Sequence, residues 1–229
     1  MGHRVGSRNS NLLFYLIMSA NSEKHPLKRR TAPKQQRREQ LIKATIRSIA
    51  RNGLSDTTMA TVTREAKLSL GIVNLHFQSK ERLLIETLRY VADEYARTWE
   101  KALENAGPSS TDRLRAIVAA DFSRPVCEQN KLAVWFAFWG ESKSRPTYRK
   151  ICAERDLRYD EMLVGLCKDI IDEGPYPNTN PEVVATGLSA MSEGLWLDML
   201  VSPESTSTEH AESICLAYLA SAFPKHFGA

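Results

Sequence analysis

Beyond Lys80 the apolar residues recur three and four positions apart as far as Phe223, and no segment alternates apolar with polar as a half-buried strand does. That period is the strongest constraint on the fold. Each segment carries one apolar stripe and must bury it against another helix, so the expected class is all-α. Clusters of Pro, Gly and Ser/Thr at 107–111, 123–125, 142–146, 174–181 and 202–208 divide the stretch into helices near 80–106, 111–123, 125–142, 146–173, 181–201 and 207–222. Ahead of them, Leu41, Ile42, Thr45, Ile46 and Ile49 predict a helix from Gln35 to Asn52, stopped by Gly53. Ser55-Asp56-Thr57-Thr58 offers caps for a short helix, Met59 to Ala66, that buries Met59, Val62 and Ala66. Lys67-Leu68-Ser69 is then a tight turn. Ser69 caps a second short helix from Leu70 to Phe77 with Val73 and Phe77 inward, and Ser79 caps the long helix that follows.

Charge divides the chain at the same place. Residues 1–80 hold 15 Lys+Arg and 4 Asp+Glu, whereas residues 81–229 hold 16 and 23, so a balance of +11 is followed by one of −7. A solvated surface of mixed charge would not segregate in this way, and the first part is built to meet a polyanion. The run from Lys24 to Arg38, KHPLKRRTAPKQQRR, has seven basic residues and no acid, with Pro26 and Pro33 opposing helix. It reads either as a solvated tail or as an arm for phosphates or the minor groove. The expected organisation is a disordered basic arm over 1–33, a basic unit of short helices over 34–80 and a helical unit over 81–229.

The apolar run Leu12 to Met18, after Arg4 and Arg8 and before Ser19-Ala20, has the outline of a weak signal peptide but is too short to span a bilayer. A basic stretch follows it, so Met18 is the preferred start and the expected location is the cytoplasm, without a membrane partner. Cys127, Cys152, Cys167 and Cys215 form no CxxC, and the five histidines have no ligand spacing. Neither a metal nor any other cofactor is implied.

Two short helices joined by a three-residue turn, with a supporting helix before them, make a helix-turn-helix. Small Ala66 allows the two to pack closely, Leu68 plugs the turn, and Leu70, Gly71, Asn74 and Leu75 are left facing outward. A major groove about 12 Å wide admits one such helix. The stretch from Thr58 to Leu84, TMATVTREAKLSLGIVNLHFQSKERLL, resembles the DNA-binding signature of the TetR family of transcriptional regulators, across residues 35–85. Two positions depart from that pattern. Lys67 stands at the usual turn glycine, and Asn74 stands at a usual tyrosine, where an Asn can pair with adenine. Thr58, Arg64, His76 and Lys80 are the candidate phosphate contacts, and Ser69, Leu70, Gly71, Asn74 and Leu75 the base-edge set. For His76, a half-buried place against the long helix is the alternative.

The second part contains no phosphate loop, no G-x-S-x-G and no H-E-x-x-H, so no enzyme is expected. Its most informative stretch is Leu132 to Ser142, LAVWFAFWGES, followed by Arg145-Pro146-Thr147-Tyr148. Trp135, Phe138 and Trp139 share a helical face and Phe136 points elsewhere. They form either ordinary core or an aromatic box for an organic cation. With Tyr148, with Trp196 as a further wall, and with Glu193 or Asp198 as counter-charge, they are the candidate ligand site. The run, together with GIVNLHFQSKERLL, resembles the BetI subgroup of choline-responsive repressors of glycine betaine synthesis genes. That resemblance implies a choline or quaternary-amine inducer.

The last two helices carry broad apolar faces: Val183, Val184, Leu188, Met191, Leu195 and Leu200 on one, and Ile214, Leu216, Tyr218, Leu219 and Phe223 on the other. Both also carry small residues, Gly187, Ala190, Ala217 and Ala220, and the faces read as intramolecular core or as the dimer interface the resemblance implies. A homodimer on a near-palindromic duplex operator is the expected partner arrangement. The sequence supports a ligand-controlled repressor first. A regulator with another inducer or none comes second, and a helical enzyme or carrier with an acidic partner third.

Overall fold

The computed structural model describes Met1 and residues 34–228, so the basic arm, the apolar run and both candidate starts lie outside the described residues. Every regular element among the described residues is helical. The first, α1 (Lys34–Asp56), buries Leu41, Ile42, Thr45, Ile46 and Ile49, the predicted stripe. Gly53 kinks it with φ 77° and ψ 173°, and the chain turns once more before Asp56. That conformation lies in the region that favours glycine. Buried Thr57 secures the kink by donating from Oγ1 to the Gly53 carbonyl at 2.8 Å.

Helix α2 (Met59–Ala66) buries Val62 and Ala66, whereas Met59 is only half-buried at its open first turn. Helix α3 (Leu70–Phe77) turns Val73 and Phe77 into the core. Helix α4 (Lys80–Asn105) runs from this head deep into the rest of the molecule along a single stripe of Leu83, Leu84, Thr87, Leu88, Val91, Tyr95 and Trp99. Ser79 caps it, its Oγ accepting from the Arg82 amide at 3.2 Å. Ser69 holds the cap position of α3 with extended backbone, but its side chain makes no capping bond.

Five further helices complete the body: α5 (Ser110–Asp121), α6 (Gln129–Glu141), α7 (Pro146–Glu173), α8 (Pro181–Val201) and α9 (Thr208–Ala222), with a last turn α10 (Pro224–Phe227). Proline opens α7, α8 and α10, where its missing amide costs nothing. Asn180 and Ser207 cap α8 and α9 through side-chain oxygens. Helix α6 begins four residues later than the period suggests. The Ser123 carbonyl accepts from the amides of both Val126 and Cys127, which closes a turn before Glu128 can lead into the helix.

One apolar cluster extends from Leu41 to Phe227, so head and body from Gln35 onward share a core. The four cysteines are free. Burial pushes the thiols of Cys127 and Cys167 up to about 12 and that of Cys215 up to about 11, and Cys152 is raised by the same cause.

Candidate nucleic-acid interface and aromatic site

The head is fixed by local chemistry at three points. Thr58 and Thr61 form a reciprocal cap on α2: the Thr61 amide donates to Thr58 Oγ1 at 3.1 Å and the Thr58 amide to Thr61 Oγ1 at 2.8 Å. After α2, Lys67 takes φ 54° and ψ 43°, and the Leu68 amide reaches back to the Thr63 carbonyl at 3.0 Å. This is the left-handed helix ending usually built on glycine, here held by a lysine. After α3, Gln78 is again left-handed at φ 62°. Both ends of the short helix are therefore turned by non-glycine residues.

Of the residues expected to read bases, Ser69, Leu70, Gly71, Asn74 and Leu75 all lie exposed on or just before α3, with Leu75 72% exposed. Thr58 and Arg64 are exposed as well, and His76 is half-buried beside Phe77. Lys80 reaches the Ser55 carbonyl through Nζ at 2.8 Å, which holds the start of α4 to the end of α1. Arg47 and Arg51 both pair with Glu65 at 2.7 and 2.9 Å and brace α2 against α1.

At the root of α4 the head meets the body. Glu81 accepts from Arg145 at 3.3 Å and from the Tyr148 hydroxyl at 3.4 Å, and these two residues flank the start of α7. Tyr148 itself is fully buried and packs edge-on against Phe138 at 4.8 Å. This pair therefore belongs to the head–body joint and forms no wall with Trp135. Asp198 is exposed and supplies no counter-charge. Phe136 is not apart from the other rings, because it packs edge-on against Trp139 at 5.0 Å.

The aromatic box does form, but with different members and with an occupant. Trp135 and Trp139 lie 5.9 Å apart, and Tyr95 from α4 completes the walls. The guanidinium of Arg155, on α7, sits among them, 4.6 Å from the Trp135 ring and 5.4 Å from those of Trp139 and Tyr95. Its Nη2 lies 3.2 Å from Glu193, and Asp156 also pairs with it. Burial opposes its charge, but Asp156 and Glu193 outweigh that effect and keep it ionised. Each such ring contact is worth about 0.5–2 kcal/mol, against several kcal/mol for desolvating the ion, so the balance is close.

Trp196 stands one layer behind. It meets Tyr95 edge-on at 5.6 Å, and its Nε1 donates to the Asp121 carbonyl at 2.9 Å. Asp121 is a buried carboxylate, 1% exposed, receiving the hydroxyls of Tyr95 at 2.8 Å and Tyr159 at 2.6 Å. Burial raises its pKa to about 6 although Tyr159, Tyr95 and Ser192 bond to it. Burial and the charge of Asp121 push both tyrosines well above their usual range, so they remain donors. Trp135 and Trp196 are each 1% exposed, and burying a ring of that size contributes about 1.5–3 kcal/mol, so these walls also serve as core.

Beside Arg155 a cleft of about 330 Å³ opens between α4 and α7, lined among others by Asp93, Ala96, Trp99, Ile151 and Glu154. Tyr95, Asp121, Arg155 and Tyr159 were not expected from the sequence. A signal was present: Tyr148, Ile151, Cys152 and Tyr159 mark the buried stripe of α7, and Arg155 falls on it at a position that suits an apolar residue.

Residues 41–87 match the family described as bacterial regulatory proteins, tetR family, and residues 110–224 match the BetI-type transcriptional repressor C-terminal family. An HTH-type transcriptional regulator BetI from Burkholderia mallei is 35% identical over 185 residues, 80% of this chain and 91% of that protein. The chain belongs to the TetR family, with a BetI-type C-terminal domain.

A BetI from Paraburkholderia phymatum is likewise 35% identical over the same shares of the two chains. Among solved structures, a transcriptional regulator from Pseudomonas aeruginosa PAO1 superposes with a TM-score of 0.75 at 27% identity, covering 85% of this chain and 94% of that one. A regulator from Saccharomonospora viridis, in complex with choline, has a TM-score of 0.72 at 22% identity, with 81% and 96% covered, and shares the fold. This TetR-family protein is thus a DNA-binding transcriptional repressor and not an enzyme. Members of its family bind DNA operators and small-molecule ligands and act as dimers. No helix among the described residues is long and apolar enough to cross a membrane.

Proposed function

We propose that this TetR-family repressor is a cytoplasmic homodimer that releases a near-palindromic operator when a quaternary amine such as choline binds, and that it controls genes for glycine betaine synthesis or osmoprotection. One observation carries the effector reading: three rings close around a guanidinium at 4.6–5.4 Å, so the body contains a seat whose field already holds an organic cation. The choline named with the Saccharomonospora viridis regulator supports the same class of ligand.

In this reading residues 34–80 form the DNA-reading unit. Ser69, Leu70, Gly71, Asn74 and Leu75 face base edges, while Thr58, Arg64, His76 and Lys80 hold phosphates. The body, residues 81–229, supplies dimerisation through the outer faces of α8 and α9. On α8, Val183, Ala190, Gly194, Leu197 and Val201 form an outward stripe of apolar and small residues, with Val183 66% and Val201 71% exposed. That stripe suits close helix packing against a second copy. The lever is α4, which carries Tyr95 of the cage at mid-length and the Glu81 joint at its root. The ligand acts by favouring a dimer whose recognition helices miss a spacing of about 34 Å.

The test is fluorescence anisotropy of the labelled duplex upstream of the protein's own gene, with and without choline. Tight binding that weakens as salt rises and that choline reverses supports the reading. Tight binding indifferent to quaternary amines keeps the repressor and rejects the effector. The full burial of Trp135, Phe138 and Trp196 favours that second outcome as a reading in which the rings are core alone. Absence of salt-sensitive binding to any genomic duplex rejects the head as a DNA reader.

A further inference from the structure

Arg155 is bound as a ligand would be and not as a structural arginine. Its side chain is only 7% exposed, yet Nη1 has no hydrogen-bond acceptor. A guanidinium carries five N–H donors, and one kept for structure is ordinarily saturated. Its acidic partners, Asp156 and Glu193, are 40% and 39% exposed, so water can solvate them if the guanidinium leaves. The cleft that Arg155 borders carries two exposed carboxylates, Asp93 and Glu154, the latter 3.8 Å from Lys150, beside Arg89 and Arg158, whose charges are met by Glu86 and Glu100. One side of Arg155 thus offers three rings and incomplete hydrogen bonding, and the other offers open volume and two carboxylates, among arginines that already have acidic partners.

We infer that Arg155 is a tethered stand-in for the effector: an organic ammonium displaces its guanidinium from among Tyr95, Trp135 and Trp139, and the guanidinium turns into the cleft toward Asp93 and Glu154. The inference rests on the reading of that cage as the effector seat. It explains how a cage can be both filled and functional. An empty aromatic cavity would collapse or cost stability, whereas a cage filled by its own side chain stays open for a ligand of like charge. It also sets the ligand class: a small organic cation competes with guanidinium for the ring faces, and a neutral isostere of the same shape does not. The displaced residue lies on α7, seven positions beyond Tyr148, which holds Glu81 at the root of the head. A change in how that helix is pinned is therefore passed to the joint.

The test compares the full chain with Arg155→Met, which keeps apolar volume against the rings, using tetramethylammonium and choline as probes and tryptophan fluorescence and calorimetry as readouts. If the arginine holds the seat about nine-tenths of the time, its removal tightens binding about tenfold. Dimethylbutanol with a tert-butyl group in place of the trimethylammonium, the neutral counterpart of choline, binds neither protein. A second variant leaves the cage untouched. Asp93→Asn with Glu154→Gln changes two exposed side chains, removes the landing place, and is expected to weaken tetramethylammonium binding to the otherwise wild-type chain. Wild-type binding that Arg155→Met leaves equal or weaker overturns the stand-in while preserving the effector seat. So does a double variant that binds as wild type. No binding of either ammonium by the wild type or by Arg155→Met overturns the effector reading and this inference together.

Discussion

Asp121→Asn is predicted to remove a pH dependence of stability that the wild-type chain carries between about pH 4 and pH 6. The carboxyl is 1% exposed and titrates near 6, against 3.8 for an ordinary aspartate. Between those values the folded protein keeps a proton that the unfolded chain releases. Stability from this group therefore falls as pH rises through the window and is constant outside it. Ionisation of a group so shifted costs the folded state about 3 kcal/mol at neutral pH, and nothing below about pH 4. Asparagine keeps the size of the side chain and one acceptor. Its amide requires one of the two tyrosine hydroxyls, of Tyr95 or Tyr159, to accept where it now donates, which a hydroxyl can do by rotating. The variant is thus expected to match the wild type near pH 4 and to exceed it by up to about 3 kcal/mol near pH 7. Urea denaturation followed by far-ultraviolet circular dichroism at three pH values measures the difference. Burial also raises Glu193 and Asp160, and both contribute slopes of the same sign. Those slopes are common to both proteins and cancel in the comparison. Parallel stability curves across the window would show that Asp121 titrates as an ordinary carboxylate in spite of its burial.

Three other outcomes are expected. Asn74→Ala relaxes discrimination at one base pair by about 1–3 kcal/mol while leaving affinity for random duplex unchanged, read by competition anisotropy; equal losses on both reject base contact. Leu197→Glu, at a side chain 44% exposed, yields a folded monomer by analytical ultracentrifugation, because assembly would bury an unpaired carboxylate on each copy. An unaltered dimer would move the interface elsewhere. Lys67→Gly relieves a left-handed backbone that costs a side-chain-bearing residue about 1–2 kcal/mol, partly offset by the greater freedom of glycine in the unfolded chain, so chemical denaturation shows a gain of about 1 kcal/mol or less. A loss of stability would show that the lysine side chain, and not the backbone, holds the turn.

Helix positions were legible because period and punctuation agree. Pro146 and Gly174 bound α7 at Pro146–Glu173, and Pro181 and the Ser/Thr/Pro cluster after Val201 bound α8. Where a side chain substituted for the usual residue type, the local outcome was still readable, as with Lys67 forced left-handed at a position suited to glycine. The candidate site was legible in part. Spacing along α6 brought Trp135 and Trp139 to one face, but it carries no information about which other helix supplies the third wall. Tyr95 comes from α4 and Arg155 from α7, and only tertiary packing joins them. Trp196 and Tyr148 went to neighbouring layers for the same reason: each is apolar enough to be core, and its hydroxyl or indole N–H had a partner elsewhere.

The state of the four thiols has a practical consequence for measuring the motion at issue. Groups pushed up to 11 or 12, or raised by burial, stay protonated at neutral pH and react slowly with maleimides or methanethiosulfonates. A cysteine placed at exposed Gln78 would outpace them, so a spin label or fluorophore can be attached there without first stripping the native thiols. In a dimer the pair of labels would sit at the C-terminal ends of the two copies of α3. The distance between them, with and without ligand, would then be read directly from dipolar coupling or energy transfer on an otherwise unaltered repressor.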